Sequence, residues 1–134
     1  MLDEHNDDER GTLTLRTQAM PKDANINGDI FGGWVLSQMD TGAGVVAGAR
    51  AQGRVATIAV DAMKFHRPIK VGDVLSVYGK VEREGTTSMG VKLEAWVMRF
   101  LSGKRELVTE AMFTFVAIDD EGRPRPLPEE GMVL

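Results

Sequence analysis

Three residue types at fixed spacing could carry chemistry in this chain: paired glycines, an aspartate seven residues later, and an asparagine ahead of both. They fall in the segment Asn25-Ile-Asn-Gly-Asp-Ile-Phe-Gly-Gly-Trp-Val-Leu-Ser-Gln-Met-Asp40. Gly32 and Gly33 stand where a loop runs into a helical pattern, so their amides are among the unpaired donors of a first helical turn. Without a Cβ they let a ligand oxygen come close, and a helix N-terminus stabilises anionic oxygen on a phosphate or a developing oxyanion. Asp40 lies close to two turns further on, roughly 10 Å along the axis. Its apolar flank (Trp34, Val35, Leu36, Met39) predicts a largely buried face, where a carboxylate is costly unless hydrogen-bonded or used. Asn25 offers an amide that can orient a water or donate to a carbonyl. Each has a plainer alternative: a simple glycine helix start, an aspartate bound to a backbone donor or an arginine, and a turn-forming asparagine.

The separation along the helix decides something by itself. A carbonyl oxygen about 3 Å from the Gly33 amide leaves its carbon out of reach of Asp40 on the same helix. If both groups act on one substrate, Asp40 comes from a second subunit whose helix runs the opposite way. That requires an isologous dimer with two equivalent sites.

The elements that must position these groups follow from periodicity. Residues 12–20 (TLTLRTQAM) read as a first strand ending at Pro21, and residues 21–33 as a loop rich in Asp, Asn and Gly. From Trp34 to about Arg50 a helical pattern runs without proline, and Gly53 follows as a stop signal. Gly42, Gly44 and Gly48 thin that helix at a cost of roughly 1 kcal/mol each against alanine, which predicts close approach by a neighbour. Residues 55–65, 74–83, 88–101 and 107–118 alternate with period two and are joined by short turns. In the second of these, Leu75, Val77 and Val81 share one face; Ser76, Tyr78, Lys80 and Glu82 share the other. One long helix covers five antiparallel strands only by lying along their concave face, giving an α+β layer of sheet around helix. Long edge strands predict edge-to-edge dimerisation.

Composition narrows the function classes. The chain has 134 residues, 43% of them hydrophobic and 27% charged, which suits one globular domain. Residues 1–10 hold five carboxylates against Arg10 and so account for the whole net charge of −4. They read as a disordered acidic leader; residues 11–120 form the single domain, and residues 121–134 a Pro-rich tail without regular structure. A neutral body argues against nucleic acid as a partner. The absence of cysteine and the presence of only His5 and His66 argue against a metal site. No apolar run approaches 18 residues and no signal peptide begins the chain, so no membrane partner and a cytoplasmic location are expected.

The order of motifs resembles the hotdog-fold acyl-CoA thioesterases of the YciA type over residues 12–119. The first motif is Asn25 to Gly33 followed by Met39-Asp40. The second is Thr57-Ile-Ala-Val-Asp61-Ala-Met-Lys-Phe65-His-Arg-Pro68-Ile-Lys-Val-Gly72-Asp73. The resemblance implies a hotdog fold, a long central helix wrapped by a five-stranded antiparallel sheet, in a homodimer that assembles further as a trimer of dimers. It implies Asp40 as the catalytic carboxylate with Asn25 as its partner from the neighbouring subunit, and Gly32 and Gly33 as the amides that polarise a thioester carbonyl. Substrate and CoA contacts would come from Thr57, Asp61 and Phe65 and from the turn Arg83, Gly85, Thr86, Thr87 and Ser88, with Lys64, Arg67 and Arg105 as weaker candidates.

The implied reaction is hydrolysis of acyl-CoA to a free fatty acid, or other carboxylic acid, and CoA. It needs no cofactor beyond the coenzyme A carried by the substrate. Asp40 would act as base or as nucleophile, a choice the residues leave open. The alternative is a non-catalytic acyl-CoA-binding hotdog module, a sensor that would have no need of Asp40. A hotdog dehydratase is the weaker rival, because the helix carries no histidine. His66 reads as structural, and Trp96 and Tyr78 as packing or inter-subunit surface. Phe31, Trp34, Met63 and Phe65 are candidates for closing the acyl channel.

Overall fold

The computed structural model describes residues 7–132 and Leu134. Its elements are α1 (Asp7–Arg10), β1 (Thr12–Gln18), α2 (Gly32–Ala51), β2 (Val55–Phe65), β3 (Val74–Glu84), β4 (Ser88–Met98) and β5 (Arg105–Ala117), with a single 3-10 turn at Pro21–Asp23. The five strands form one antiparallel sheet in the order β1-β3-β4-β5-β2, and α2 lies on its concave side. This is the α+β architecture expected from the pattern. Helix α2 begins two residues earlier than its apolar period suggests. Phe31 supplies the carbonyl that accepts from Trp34 N at 3.1 Å and Val35 N at 3.4 Å. Its end is set by Gln52, which takes the left-handed conformation (φ 51°) and donates its N–H back to Gly48.

The buried face of α2 is Val35, Met39, Gly42, Ala43, Val46, Ala47 and Ala51, a run of three- and four-residue steps. It meets the inward side chains of β3, β4 and β5, among them Leu75, Val77, Met89, Val91, Leu93, Phe113 and Phe115. Of the three glycines in the middle of the helix, Gly42, Gly44 and Gly48, only Gly42 is needed for close approach. A Cβ there would stand 2.4 Å from Thr14 Oγ1 and 2.9 Å from Val77 Cγ1, whereas nothing lies closer than 4.0 Å at Gly44 or 3.7 Å at Gly48. Seating an aliphatic helix against Val77 therefore depends on one missing methyl group.

Two sequence expectations change here. The acidic leader lies mostly outside the described residues, but Asp7–Arg10 is one helical turn rather than disordered chain. Its Arg10 guanidinium sits over Trp96 at 4.3 Å and Tyr78 at 5.1 Å, and Lys80 Nζ donates to Glu9 O at 2.8 Å. That cation–aromatic stack is why Tyr78, on the outer face of β3, is buried. The described residues of the Pro-rich tail form no helix or strand, yet they are tied down. Arg125 Nη2 donates to Ala51 O at 2.8 Å, Leu127 N to Thr86 O at 2.9 Å and Met132 N to Ala49 O at 2.9 Å. The first and last of these bonds satisfy carbonyls at the end of α2 that the helix itself leaves open, and the second ties the tail to the β3–β4 turn.

The turn into β3 is held by Asp73, whose residue exposure is 2%. Its carboxylate accepts from Lys70 N at 2.9 Å, Phe100 N at 3.2 Å and Arg99 Nη1 at 2.6 Å. Replacing Asp73 with alanine takes one of two carboxylate partners from Arg99 and leaves two amides without an acceptor, so Asp73→Ala should cost about 2–4 kcal/mol, read as a lower urea midpoint. A second prediction concerns acid. The Arg50 guanidinium binds Glu84 through Nε at 2.6 Å and Nη2 at 3.0 Å, and these hydrogen bonds hold the Glu84 carboxyl below its ordinary range. Arg99 does the same to Glu106. A carboxylate depressed in the folded state adds stability that is present above its unfolded value, about 4.3, and is lost as the pH falls through the folded value. The unfolding midpoint should therefore drop on acidification below about pH 4.3, and Arg50→Met should flatten that acid limb.

Candidate active site

The N-terminus of α2 opens onto two clefts, one beside each glycine. The larger, 410 Å³, is lined by Gly33, Leu36, Ser37, Asp40, Thr57, Val60 and Phe113. The other, 290 Å³, is lined by Ile30, Gly32, Val35, Phe65, His66, Arg67, Pro68, Ile69 and Thr109. Among the described residues, no hydrogen bond takes up the Gly32 or Gly33 amide, since the Phe31 carbonyl accepts only from Trp34 and Val35. Two bare donors therefore stand at the positive end of a 20-residue helix.

Asp40 lies on the open side of α2, which corrects the expectation that its face is largely buried. Val35 and Met39 turn into the core, whereas Leu36, Ser37 and Thr41 beside Asp40 are exposed in the single chain. The carboxylate is held by Thr57, whose Oγ1 donates to Asp40 Oδ1 at 2.7 Å. This pairing was not visible in the sequence, because it depends on a bulge in β2. Thr57 and Val60 are three residues apart and would alternate onto opposite faces of a regular strand. The register shift between Thr57 and Ala59 inserts Ile58 as an extra residue, so Thr57 pairs with Phe115, Val60 pairs with Phe113, and both face the cleft.

Asn25 sits in the loop ahead of α2 and does form a turn. Its Oδ1 accepts from Asn27 N at 2.9 Å and Asp29 N at 3.2 Å. That use of the oxygen fixes the carboxamide plane and leaves Nδ2 as a donor with no partner among the described residues. The loop is tied to the chain after β2 by Ile30 N donating to Ile69 O at 2.9 Å and by an ion pair between Lys70 and Asp29.

The chain by itself brings Asp40, Thr57 and Gly33 into one cleft and sets Gly32 and Phe65 in the next. His66 and Arg67 also line that second cleft, and the remaining residues lie elsewhere. Asp61 is exposed and pairs in register with Met112, on the outer face of the sheet. Arg83 is also outside: its Nη2 donates to Thr114 Oγ1 at 3.1 Å, and Thr114 alternates with the inward Phe113 and Phe115. Gly85, Thr86, Thr87 and Ser88 form the β3–β4 turn, closed by Gly85 N donating to Ser88 O at 2.8 Å. Trp34 and Met63 pack against the core, whereas Phe31 and Phe65 are exposed. Lys64 and Arg105 are exposed, and Arg67 pairs with Glu106 at 3.0 Å. His66 pairs with Glu110 at 2.7 Å, away from Asp40. Among the described residues no three His, Asp or Glu side chains converge as metal ligands, and no helix is long and apolar enough to cross a membrane.

Comparison with known proteins agrees with the fold. The family model of the thioesterase superfamily matches residues 27–97, which include α2, β2 and β3. The acyl-CoA thioester hydrolase YciA of Escherichia coli K12 is 51% identical over 124 residues, covering 90% of this chain and 94% of the relative. A hexameric thioesterase from Yersinia pestis matches with a TM-score of 0.85 and 52% identity, over 89% of this chain and 97% of that one. A hexameric hotdog fold thioesterase of Campylobacter jejuni matches at 0.84 and 38% identity, over 90% and 93%. The chain belongs to the thioesterase superfamily, among its hotdog-fold acyl-CoA thioesterases of the YciA type.

Proposed function

We propose that this thioesterase hydrolyses acyl-CoA to a free carboxylic acid and CoA, with Asp40 as the working carboxylate and the Gly32 and Gly33 amides as the oxyanion site. The observation that carries the reading is that the open side of α2 holds both groups, the bare amides of Gly32 and Gly33 at its start and the Thr57-bound Asp40 carboxylate two turns on. A thioester carbonyl seated on those amides gains electrophilicity as charge builds on its oxygen. Asp40 then either takes the proton of an attacking water or attacks the carbonyl itself, giving a mixed anhydride that water opens. In both routes the C–S bond breaks, the CoA thiolate leaves and takes up a proton, and no cofactor is consumed. Thr57 keeps the carboxylate in one rotamer by donating to Oδ1, leaving Oδ2 to face the substrate.

One helix cannot deliver both halves of this chemistry, since seven residues set Gly33 and Asp40 roughly 10 Å apart. A homodimer supplies the second half. Its surface would be the free edge β2 together with the open side of α2, where Leu36, Val45, Ile58, Val60 and Phe65 are exposed between 39% and 59%. Asn25 of one subunit then faces Asp40 of the other. Three such dimers make a hexamer, the state named for the Yersinia pestis and Campylobacter jejuni proteins. Arg83 and the β3–β4 turn, on the outer face, would serve the nucleotide of a substrate cleaved at another protomer's Asp40. The expected cytoplasmic location is part of this reading.

Release of free thiol from acyl-CoAs of increasing chain length tests the proposal. Asp40→Asn should lower turnover by about 10²- to 10⁴-fold with the unfolding midpoint little changed. Thr57→Val should cost about tenfold, the scale of one hydrogen bond to a charged group. Acyl-CoA binding without thiol release from the wild-type protein would identify a sensor module instead.

A further inference from the structure

We propose that Gly90 and Thr114 are positioning residues for Arg83, holding its guanidinium flat on the outer sheet face where it takes a phosphate of the CoA nucleotide. This rests on the reading of the chain as an acyl-CoA thioesterase and of Arg83 as a nucleotide contact. Alternation along β3 would turn Arg83 inward, because Leu75, Val77, Gly79 and Val81 face the helix. A register shift between Val81 and Arg83 re-phases the strand, so that Val81 pairs with Val91 but Arg83 pairs with Gly90. The same shift turns Glu84 inward, where it meets Arg50 of α2. One bulge thus sends two successive charges to opposite faces.

Arg83 then crosses β4 at the one position with no side chain. A Cβ on Gly90 would lie 2.7 Å from Arg83 Cγ, 2.9 Å from Nε and 3.1 Å from Cζ. A strand interior otherwise disfavours glycine, and here its absent side chain is the space the arginine occupies. Beyond Gly90 the guanidinium reaches β5, where Nη2 donates to Thr114 Oγ1 at 3.1 Å. Among the described residues no carboxylate stands within ion-pair distance of Arg83, so the charge is held by a neutral hydroxyl and kept free for an anion. A planar guanidinium fixed at one corner can still donate from its remaining N–H groups to phosphate oxygens.

The test compares butanoyl-CoA with S-butanoyl-pantetheine, which lacks the nucleotide, as substrates of the full chain. The quantity read is the ratio of kcat/KM for the two thioesters. Arg83→Ala, Gly90→Ala and Thr114→Val should each lower that ratio, Arg83→Ala by about tenfold or more and the other two by about three- to tenfold, mostly through KM. Thr114→Ser keeps the hydroxyl and should restore the ratio. A ratio unchanged in Gly90→Ala and Thr114→Val, but lowered in Arg83→Ala, would overturn the positioning roles and leave Arg83 as a contact. A ratio unchanged in Arg83→Ala would overturn the nucleotide contact itself. Loss of both activities in Asp40→Asn would keep the thioesterase reading apart from either result.

Discussion

The rise of an α-helix, about 1.5 Å per residue, is the constraint on which this account depends. It sets the amide pair at Gly32-Gly33 and the carboxylate at Asp40 too far apart to meet at one carbonyl within one chain. Under the proposed function, the surroundings of α2 present those two groups to another copy of the same helix. The buried stripe from Val35 to Ala51 seats the helix in the sheet, and Gly42 sets how deeply it sits against Thr14 and Val77. The opposite side, from Gly33 through Leu36, Asp40 and Thr41, stays open. A carboxylate on that side is held, among the described residues, by one hydroxyl, from Thr57.

The sheet contributes through its irregularities as much as through its regular pairing. A regular β2 would separate Thr57 from Val60, and the bulge at Ile58 brings both to the Asp40 cleft. A second shift between Asp61 and Lys64, with Ala62 at φ 51°, re-phases the strand again so that Phe65 reaches the cleft beside Gly32. The bulge in β3 sorts Arg83 outward and Glu84 inward. Bulges aim side chains without changing the hydrophobic pattern that specifies the strand. The described tail plays a comparable role at the other end of α2, where Arg125 and Met132 cover carbonyls that the helix cannot pair.

This division explains what could be read from the residues alone. The helix and strands were legible because burial imposes period 3.6 on Met39, Ala43, Val46 and Ala47 and period two on Met89, Val91, Leu93 and Ala95, although Leu36, read into the same stripe, is exposed. The spacing of the amide pair and Asp40 was legible because helix geometry is fixed, and the partner subunit is what the proposed shared site requires. The Thr57–Asp40 bond was not, since a one-residue insertion in a strand leaves no mark on composition. The order in Asp7–Arg10 was also hidden: its cause is Arg10 stacking on Trp96 and Tyr78, which are far away in sequence. Gly90, a lone glycine inside an alternating strand, drew no reading from the sequence, and what approaches it is visible only in three dimensions.

The central claim, that each site takes its aspartate from one subunit and its loop from another, is tested most directly by mixing inactive protomers. Asp40→Asn and Asn25→Ala chains, each separately inactive, are unfolded together in equal amounts and refolded. In a randomly paired isologous dimer half the dimers are mixed, and each mixed dimer holds one site with both native residues, so about a quarter of wild-type thiol release should return. Recovery no greater than the average of the two separate variants would contradict the shared site.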